Sequence, residues 1–117
     1  MTPRNQRVVQ TLLAALKPLT NLRGSMPLPF VTTFLMVALD EGKSVSTYAR
    51  AVGVKDRRMM SRYLRDIGDR ARNGGPGLGL VTITPHPAHP QRRQVLLTVK
   101  GRSIAKSMLR EMRKASH

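Results

Sequence analysis

The densest run of ionisable groups in this chain is VGVKDRRMMSRYLRDIGDRAR, residues 52–72, with seven cations and three carboxylates in 21 residues. On a wheel of about 100° per residue, Met60, Tyr63, Leu64 and Ile67 share one sector. Arg58, Arg62 and Arg65 fall on the opposite side, with Ser61 beside them and Arg57 on the flank. Asp56 suits the N-cap of this helix, while Asp66 and Asp69 come late. The N-terminal half of the outer face therefore holds cations and one hydroxyl. Guanidinium groups so placed can grip guanine edges bidentately or hold phosphate, and a serine hydroxyl can serve either. The plainer alternative is a solvated face that only aids solubility, and the surrounding elements count against it.

A second cluster is PHPAHPQRR, Pro85 to Arg93, which presents His86, His89, Gln91, Arg92 and Arg93. Its prolines should make it stiff and extended, holding its cations away from the body. His86 and His89 could be paired metal ligands, but no cysteine or carboxylate lies nearby and only the distant His117 remains, so neither a metal nor a cofactor is expected. The six carboxylates offer no acid–base pair, and no nucleophile–histidine arrangement is visible, so no enzymatic activity is expected. Gly74-Gly75-Pro76-Gly77-Leu78-Gly79 follows a helix and precedes a strand. That order is the reverse of a phosphate-binding loop, and the segment reads as a connector. Met59, Met60, Met108 and Met112 read as core or interface filler.

The elements that must position these clusters follow from local pattern. Thr2-Pro3 opens a helix in which Val8, Val9, Leu12, Leu13 and Leu16 recur at helical spacing up to Pro18. Thr20 to Pro29 reads as a loop. Pro29 to Leu39 is apolar nearly all round and should be the most buried helix, with Gly42 available for a left-handed C-cap. Ser44 or Ser46 can cap a short helix to about Ala51, with Tyr48, Ala49 and Val52 inward. Gly53 breaks the chain, and the basic helix then runs from Asp56 to about Arg70. Leu80 to Thr84 and Gln94 to Thr98 alternate as strands. Thr98 caps a last helix with Ile104, Ala105, Met108 and Met112 on one side.

The chain has 117 residues, no cysteine, 3% aromatic content and a net charge of +15 from 21 basic and six acidic residues, 15 of the basic ones being arginine. One domain is expected over residues 1–117: an N-terminal helix at 1–19, a core at 29–98 and a C-terminal helix at 99–116. Its core should be aliphatic and Met-rich. No apolar run spans a bilayer and no secretory signal layout is present, so a cytoplasmic, nucleoid-associated location is expected. Such charge destabilises a compact chain by self-repulsion, and an anionic partner relieves it. A membrane surface would call for a polybasic tail beside an amphipathic helix; instead 15 cations spread between Gly42 and Arg110. Nucleic acid is the better partner.

SVSTYARAVGVKDRRMMSRYL, then a hairpin, then RQVLLTVKGRSIAKSM resembles the winged helix-turn-helix core of the multiple-antibiotic-resistance-regulator (MarR) family over roughly Pro29 to Met112. The resemblance rests on Ser44-Val45-Ser46 opening the first motif helix, Ser61-Arg62 within the second, and a strand running into Leu97-Thr98 and Lys100-Gly101-Arg102. It implies a mainly α fold with a small β-hairpin (α+β), and a homodimeric regulator on a pseudo-palindromic site. Carried over, Val8, Leu12, Leu13 and Leu16 with Ile104, Met108 and Met112 would form the dimer interface. Arg62 would contact DNA, and Arg92 and Arg93 would lie on the wing. Departures are a longer turn after Gly53, His89-Pro90 where Asp-Pro is often seen, the insert Asn73 to Gly79, and short terminal segments. Nothing in the sequence assigns a small-molecule effector.

The expected function is sequence-specific binding of double-stranded DNA by a dimeric repressor. Thr47, Arg50, Arg57, Arg92 and Arg93 would meet phosphate, with Ser46 and Gln91 beside them. Arg58, Ser61, Arg62 and Arg65 would read bases in the major groove, with the wing on the minor groove or the backbone. An RNA-binding or ribosome-associated winged helix is one alternative. An architectural, replication or excision factor is another, and a protein–protein module a more remote one.

Overall fold

A computed structural model of the chain describes residues 1–69 and 75–114. In order, these hold α1 (Pro3–Leu22), α2 (Leu28–Leu39), α3 (Val45–Val52), α4 (Arg57–Ile67), β1 (Val81–Pro85), β2 (Arg93–Leu97) and α5 (Val99–Lys114). The architecture is mainly α with a small β-hairpin, as expected. The chain divides into two units, Pro27–Arg102 and Met1–Met26 with Ser103–His117.

In the larger unit, α2 starts after Pro27 with Pro29 in its first turn, where a missing N–H costs nothing. It buries Phe30, Thr33, Phe34 and Val37. The Ser44 Oγ caps α3 by accepting from the Thr47 N–H at 3.2 Å. Gly53 closes α3 at φ 88°, a left-handed conformation that glycine adopts without Cβ strain. Asp56 then caps α4, its Oδ1 accepting from the Arg58 N–H at 2.9 Å. The inner faces meet as Val45, Tyr48 and Ala49 from α3 with Met60, Leu64 and Ile67 from α4. The Phe30 and Tyr63 rings pack with centroids 5.8 Å apart.

β1 and β2 pair antiparallel, with Val81 opposite Leu97 and Pro85 opposite Arg93. Leu80, Val81, Val95 and Leu97 face inward and close the core. Two further backbone bonds, Gly42 N–H to the Val95 carbonyl (2.8 Å) and Val95 N–H to the Lys43 carbonyl (3.1 Å), fasten the link between α2 and α3 onto β2. Glu41 adds a side-chain fastening. Its Oε1 accepts from the Leu97 N–H at 2.7 Å and from the Arg102 guanidinium at 3.3 Å. Thr98 caps α5 by accepting from the Gly101 N–H at 3.0 Å and donates to the Gly79 carbonyl at 2.6 Å.

Several boundaries differ from expectation. α1 continues past Pro18 to Leu22. Proline inside a helix costs about 3 kcal/mol, and burying a leucine returns about 1.5–3 kcal/mol. Leu19, at 2% exposure, is such a leucine, and α1 ends only when the Arg23 N–H donates to its carbonyl. Gly42 is left-handed at φ 87° but is not the C-cap of α2; Asp40 is. α4 stops at Ile67, because Gly68 caps it, rather than running to about Arg70, which lies outside the described residues. Both strands shift by one residue, because the Leu80 N–H donates to the Ile67 carbonyl and the Thr98 N–H to the Leu80 carbonyl. The Pro85 to Arg93 loop is not extended. The His86 N–H donates to the Arg92 carbonyl and the Arg92 N–H to the His89 carbonyl, both at 2.8 Å, which folds it into a tight hairpin end.

In the smaller unit, α1 is capped by Thr2, whose Oγ1 accepts from the Asn5 N–H at 3.2 Å. Ala15 and Leu19 are buried, whereas Val8, Val9, Leu12 and Leu13 are exposed. On α5, Met108 is buried and Leu109 and Met112 are exposed.

Candidate nucleic-acid interface

The α3–turn–α4 pair and the hairpin bring most of the expected site together within the larger unit. Arg57, Arg58, Arg62 and Arg65 are all exposed on α4, while Met60, Leu64 and Ile67 are buried behind them. Ser61 is half-buried beside the arginines. Gln91, Arg92 and Arg93 are exposed at the hairpin end. On α3, Ser46 and Arg50 are exposed and Thr47 is half-buried, its hydroxyl 3.0 Å from the Ser44 hydroxyl.

The electrostatics of this surface are one-sided. Among the described residues, Arg57, Arg62, Arg65, Arg92 and Arg93 take part in no ion pair. Arg58 lies 3.6 Å from Asp56, but both side chains are largely in water, where such a pair contributes little. Asp66 is withdrawn from the face altogether. It is 9% exposed, and its Oδ1 has no hydrogen-bond partner among the described residues. The outer face of α4 is thus more uniformly cationic than its composition indicates. No sequence signal marks that burial; at the backbone, the Leu78 N–H donates to the Asp66 carbonyl at 3.1 Å.

Between α4 and the hairpin lies an open groove of about 900 Å³. Arg57, Ser61, Arg65 and Asp69 line it from the α4 side, Ile83, Gln91, Arg92 and Arg93 from the hairpin, and Ser44 and Val45 at the start of α3. Sequence reasoning missed Ser44 as a wall of this groove, although its role as a cap was legible. The histidines stay at the hairpin end. Their ring centroids are 5.6 Å apart, and His86 Nδ1 accepts from the Ala88 N–H at 3.1 Å. Among the described residues no group of three or more His, Cys, Asp or Glu could hold a metal.

The expected dimer stripe is only partly displayed. Val8, Leu12, Leu13 and Met112 are exposed, Leu16 and Ile104 half-buried, and Met108 buried. Exposed Val9 and Leu109 accompany it and were not anticipated as part of it. No helix among the described residues is long and apolar enough to cross a membrane.

No family model matches the sequence, and no curated protein does. Solved structures do match. The transcriptional regulator Tm0710 from Thermotoga maritima superposes with a TM-score of 0.66 at 15% identity, over 94% of this chain and 70% of that one. The MarR family transcription regulator SP03579 gives 0.59 at 18%, over 97% and 65%. The transcriptional repressor CouR of Rhodococcus jostii RHA1, in a structure bound to a 23-mer DNA duplex, gives 0.59 at 17%, over 95% and 70%. The chain therefore spans about two thirds of the length of these proteins. It has the MarR-like winged-helix fold that its motif order resembles.

Proposed function

We propose that this chain is a sequence-specific, double-stranded DNA-binding transcription regulator, acting as a dimeric repressor by occlusion. Its α4 enters the major groove, and its hairpin lies on the minor groove or the backbone. The observation that carries this reading is the exposed arginine face of α4, where Arg57, Arg62 and Arg65 are in no ion pair among the described residues, with a second arginine pair on the adjoining hairpin. A helix of this shape fits the major groove, and residues of its N-terminal half reach base edges. CouR, which shares the fold, is a transcriptional repressor whose structure holds a 23-mer DNA duplex, and duplex DNA as a partner suits the exposed arginines here.

On this reading Ser46, Thr47 and Arg50 of α3 and Gln91, Arg92 and Arg93 of the hairpin secure the backbone, while Arg57, Arg58, Ser61, Arg62 and Arg65 of α4 engage the groove and its rim. Dimerisation through Val8, Leu12, Leu13, Leu16, Ile104, Met108 and Met112 would set two such helices on half-sites about one helical turn apart. The expected compartment is the cytoplasm, at the nucleoid.

Selection of bound duplexes from a random pool tests the proposal, with the mass of the complex measured alongside. One bounded, palindromic motif bound by two chains is the expected result. Long cooperative coverage without a motif points to an architectural factor. Displacement of duplex by structured RNA at equal phosphate concentration points to an RNA-binding protein. Either of these outcomes removes the regulator reading.

A further inference from the structure

The arginines of α4 do not form one face. At about 100° and 1.5 Å per residue, positions 57, 61 and 65 form a slowly turning row at intervals of about 6 Å. Positions 58 and 62 stand further round, on the side directly away from the core. The structure separates the two rows. Arg57, Ser61 and Arg65 line the groove toward the hairpin, and Arg58 and Arg62 do not. The Arg58 side chain is 94% exposed.

The groove has the features of a seat for an anionic strand. Arg57 and Arg65 on one wall share it with Arg92 and Arg93 on the other, and none of the four is in an ion pair among the described residues. Cations gathered around an open gap repel one another until an anion lies between them. Ser44 and Val45 bring the start of α3 to the groove, where the helix dipole favours negative charge. Among the described residues that line it, Asp69 is the one carboxylate; it lies beyond the last turn of α4, at the end where a phosphate path is repelled.

We infer that the groove between α4 and the hairpin holds one sugar-phosphate strand of the DNA, gripped by Arg57, Ser61 and Arg65 on one side and Arg92 and Arg93 on the other, so that base reading falls to Arg58 and Arg62. This rests on the DNA-binding reading above and divides the labour within it. It moves Ser61 and Arg65 from the base-reading set to the backbone. The chemical consequence is sharp. A phosphate needs only positive charge and a donor, which lysine also supplies, whereas a bidentate guanine contact needs the guanidinium fork.

The test uses the full chain, a selected duplex and a scrambled duplex of the same composition, with affinity measured by fluorescence anisotropy across a salt series. Arg57→Ala and Arg65→Ala are expected to weaken both duplexes by the same factor and to lower the slope of log affinity against log salt by about one each. Arg65→Lys should restore both. Arg58→Ala and Arg62→Ala should lower the ratio of selected to scrambled binding by roughly fivefold or more, and lysine at position 62 should not restore it. The assignment is overturned if Arg65→Ala abolishes the ratio while scrambled binding and the salt slope stay unchanged, or if Arg57→Ala and Arg65→Ala alter neither duplex. If no motif can be selected but the scrambled-duplex arm behaves as stated, the groove assignment stands and the sequence-specific reading falls. If the wild-type chain binds no duplex, both fall.

Discussion

The Tyr48 hydroxyl donates a hydrogen bond to the Asp40 carbonyl oxygen, and the same hydroxyl accepts from the Lys43 N–H at 3.2 Å. Tyr48 is 2% exposed, so this pair ties the end of α2 to the middle of α3 under cover of the core. Tyr48→Phe keeps the ring and removes both bonds, leaving two backbone groups to find other partners. The expected cost is about 1–3 kcal/mol, read as a lower urea midpoint with unchanged m-value.

The same burial gives a pH signature. Desolvation raises the Tyr48 phenol above its ordinary value of 10.0. The carboxylates of Asp40 and Glu41 add to the rise, and the Lys43 N–H opposes it. A raised folded-state value means the fold favours the neutral phenol. Its contribution is therefore fully present below the unfolded value and is lost as pH climbs toward and through the folded one. Stability of the wild type minus that of Tyr48→Phe should be flat at neutral pH and shrink above about pH 10. Taking the difference removes the lysines, which titrate in the same range. A difference that stays constant into strong alkali would show that the phenol does not titrate with unfolding.

Gly101 sits in the first turn of α5 with its Cα against the Leu80 carbonyl, so that an added Cβ would collide with that oxygen. Helix propensity alone predicts that Gly101→Ala stabilises by up to about 1 kcal/mol. The contact predicts the opposite sign, a loss of about 1–3 kcal/mol, because backbone must move. Gly24→Ala is the control, since nothing lies within 4 Å of its added Cβ. Thermal melts of the two variants should shift in different directions or by clearly different amounts.

The motif helices were legible because their signals are local. Ser44, Gly53 and Asp56 each act within four residues of themselves as a cap or turn, and the strands alternate over five residues. What lay beyond sequence depends on chain brought from elsewhere. Pro18 sits inside a helix that continues over buried Leu19, and Asp66 is buried at the end of α4, where its carbonyl accepts from the Leu78 N–H. Glu41 reaches Leu97 across 56 residues, which no window of periodicity spans. The wheel placed Met60, Leu64 and Ile67 inward and Arg58, Arg62 and Arg65 outward, as the structure has them. It could not separate the groove side from the open side, because that division is made by Arg92 and Arg93 on the hairpin.

Arg62 is exposed, in no ion pair among the described residues and outside the groove, so its removal should leave the fold intact. Arg62→Ala should leave the melting temperature unchanged and cost about 1–3 kcal/mol of binding at the selected site, with base preference relaxed at one position of each half-site. Equal weakening on selected and random duplexes would make Arg62 a phosphate contact and remove it from the reading set.

The exposed apolar residues of α1 and α5 make the dimer testable through salt. Val8, Leu12 and Leu13 are 64%, 53% and 63% exposed, and Leu109 and Met112 are 50% and 46% exposed. Burial of such residues against a second copy would supply the attraction. The segments that carry them, Met1–Met26 and Ser103–His117, hold eight cations against the single carboxylate Glu111. Two copies meeting there bring like charge together, and screening by salt weakens that repulsion. Self-association measured by sedimentation should therefore strengthen as salt rises, while DNA affinity falls over the same range through counterion release. Leu12→Gln with Leu13→Gln should shift the chain to monomer without lowering its melting temperature, because neither side chain is buried in the single chain. A variant that stays dimeric would place the interface elsewhere, and association that weakens with salt would mean that ion pairs rather than apolar contacts hold the two copies together.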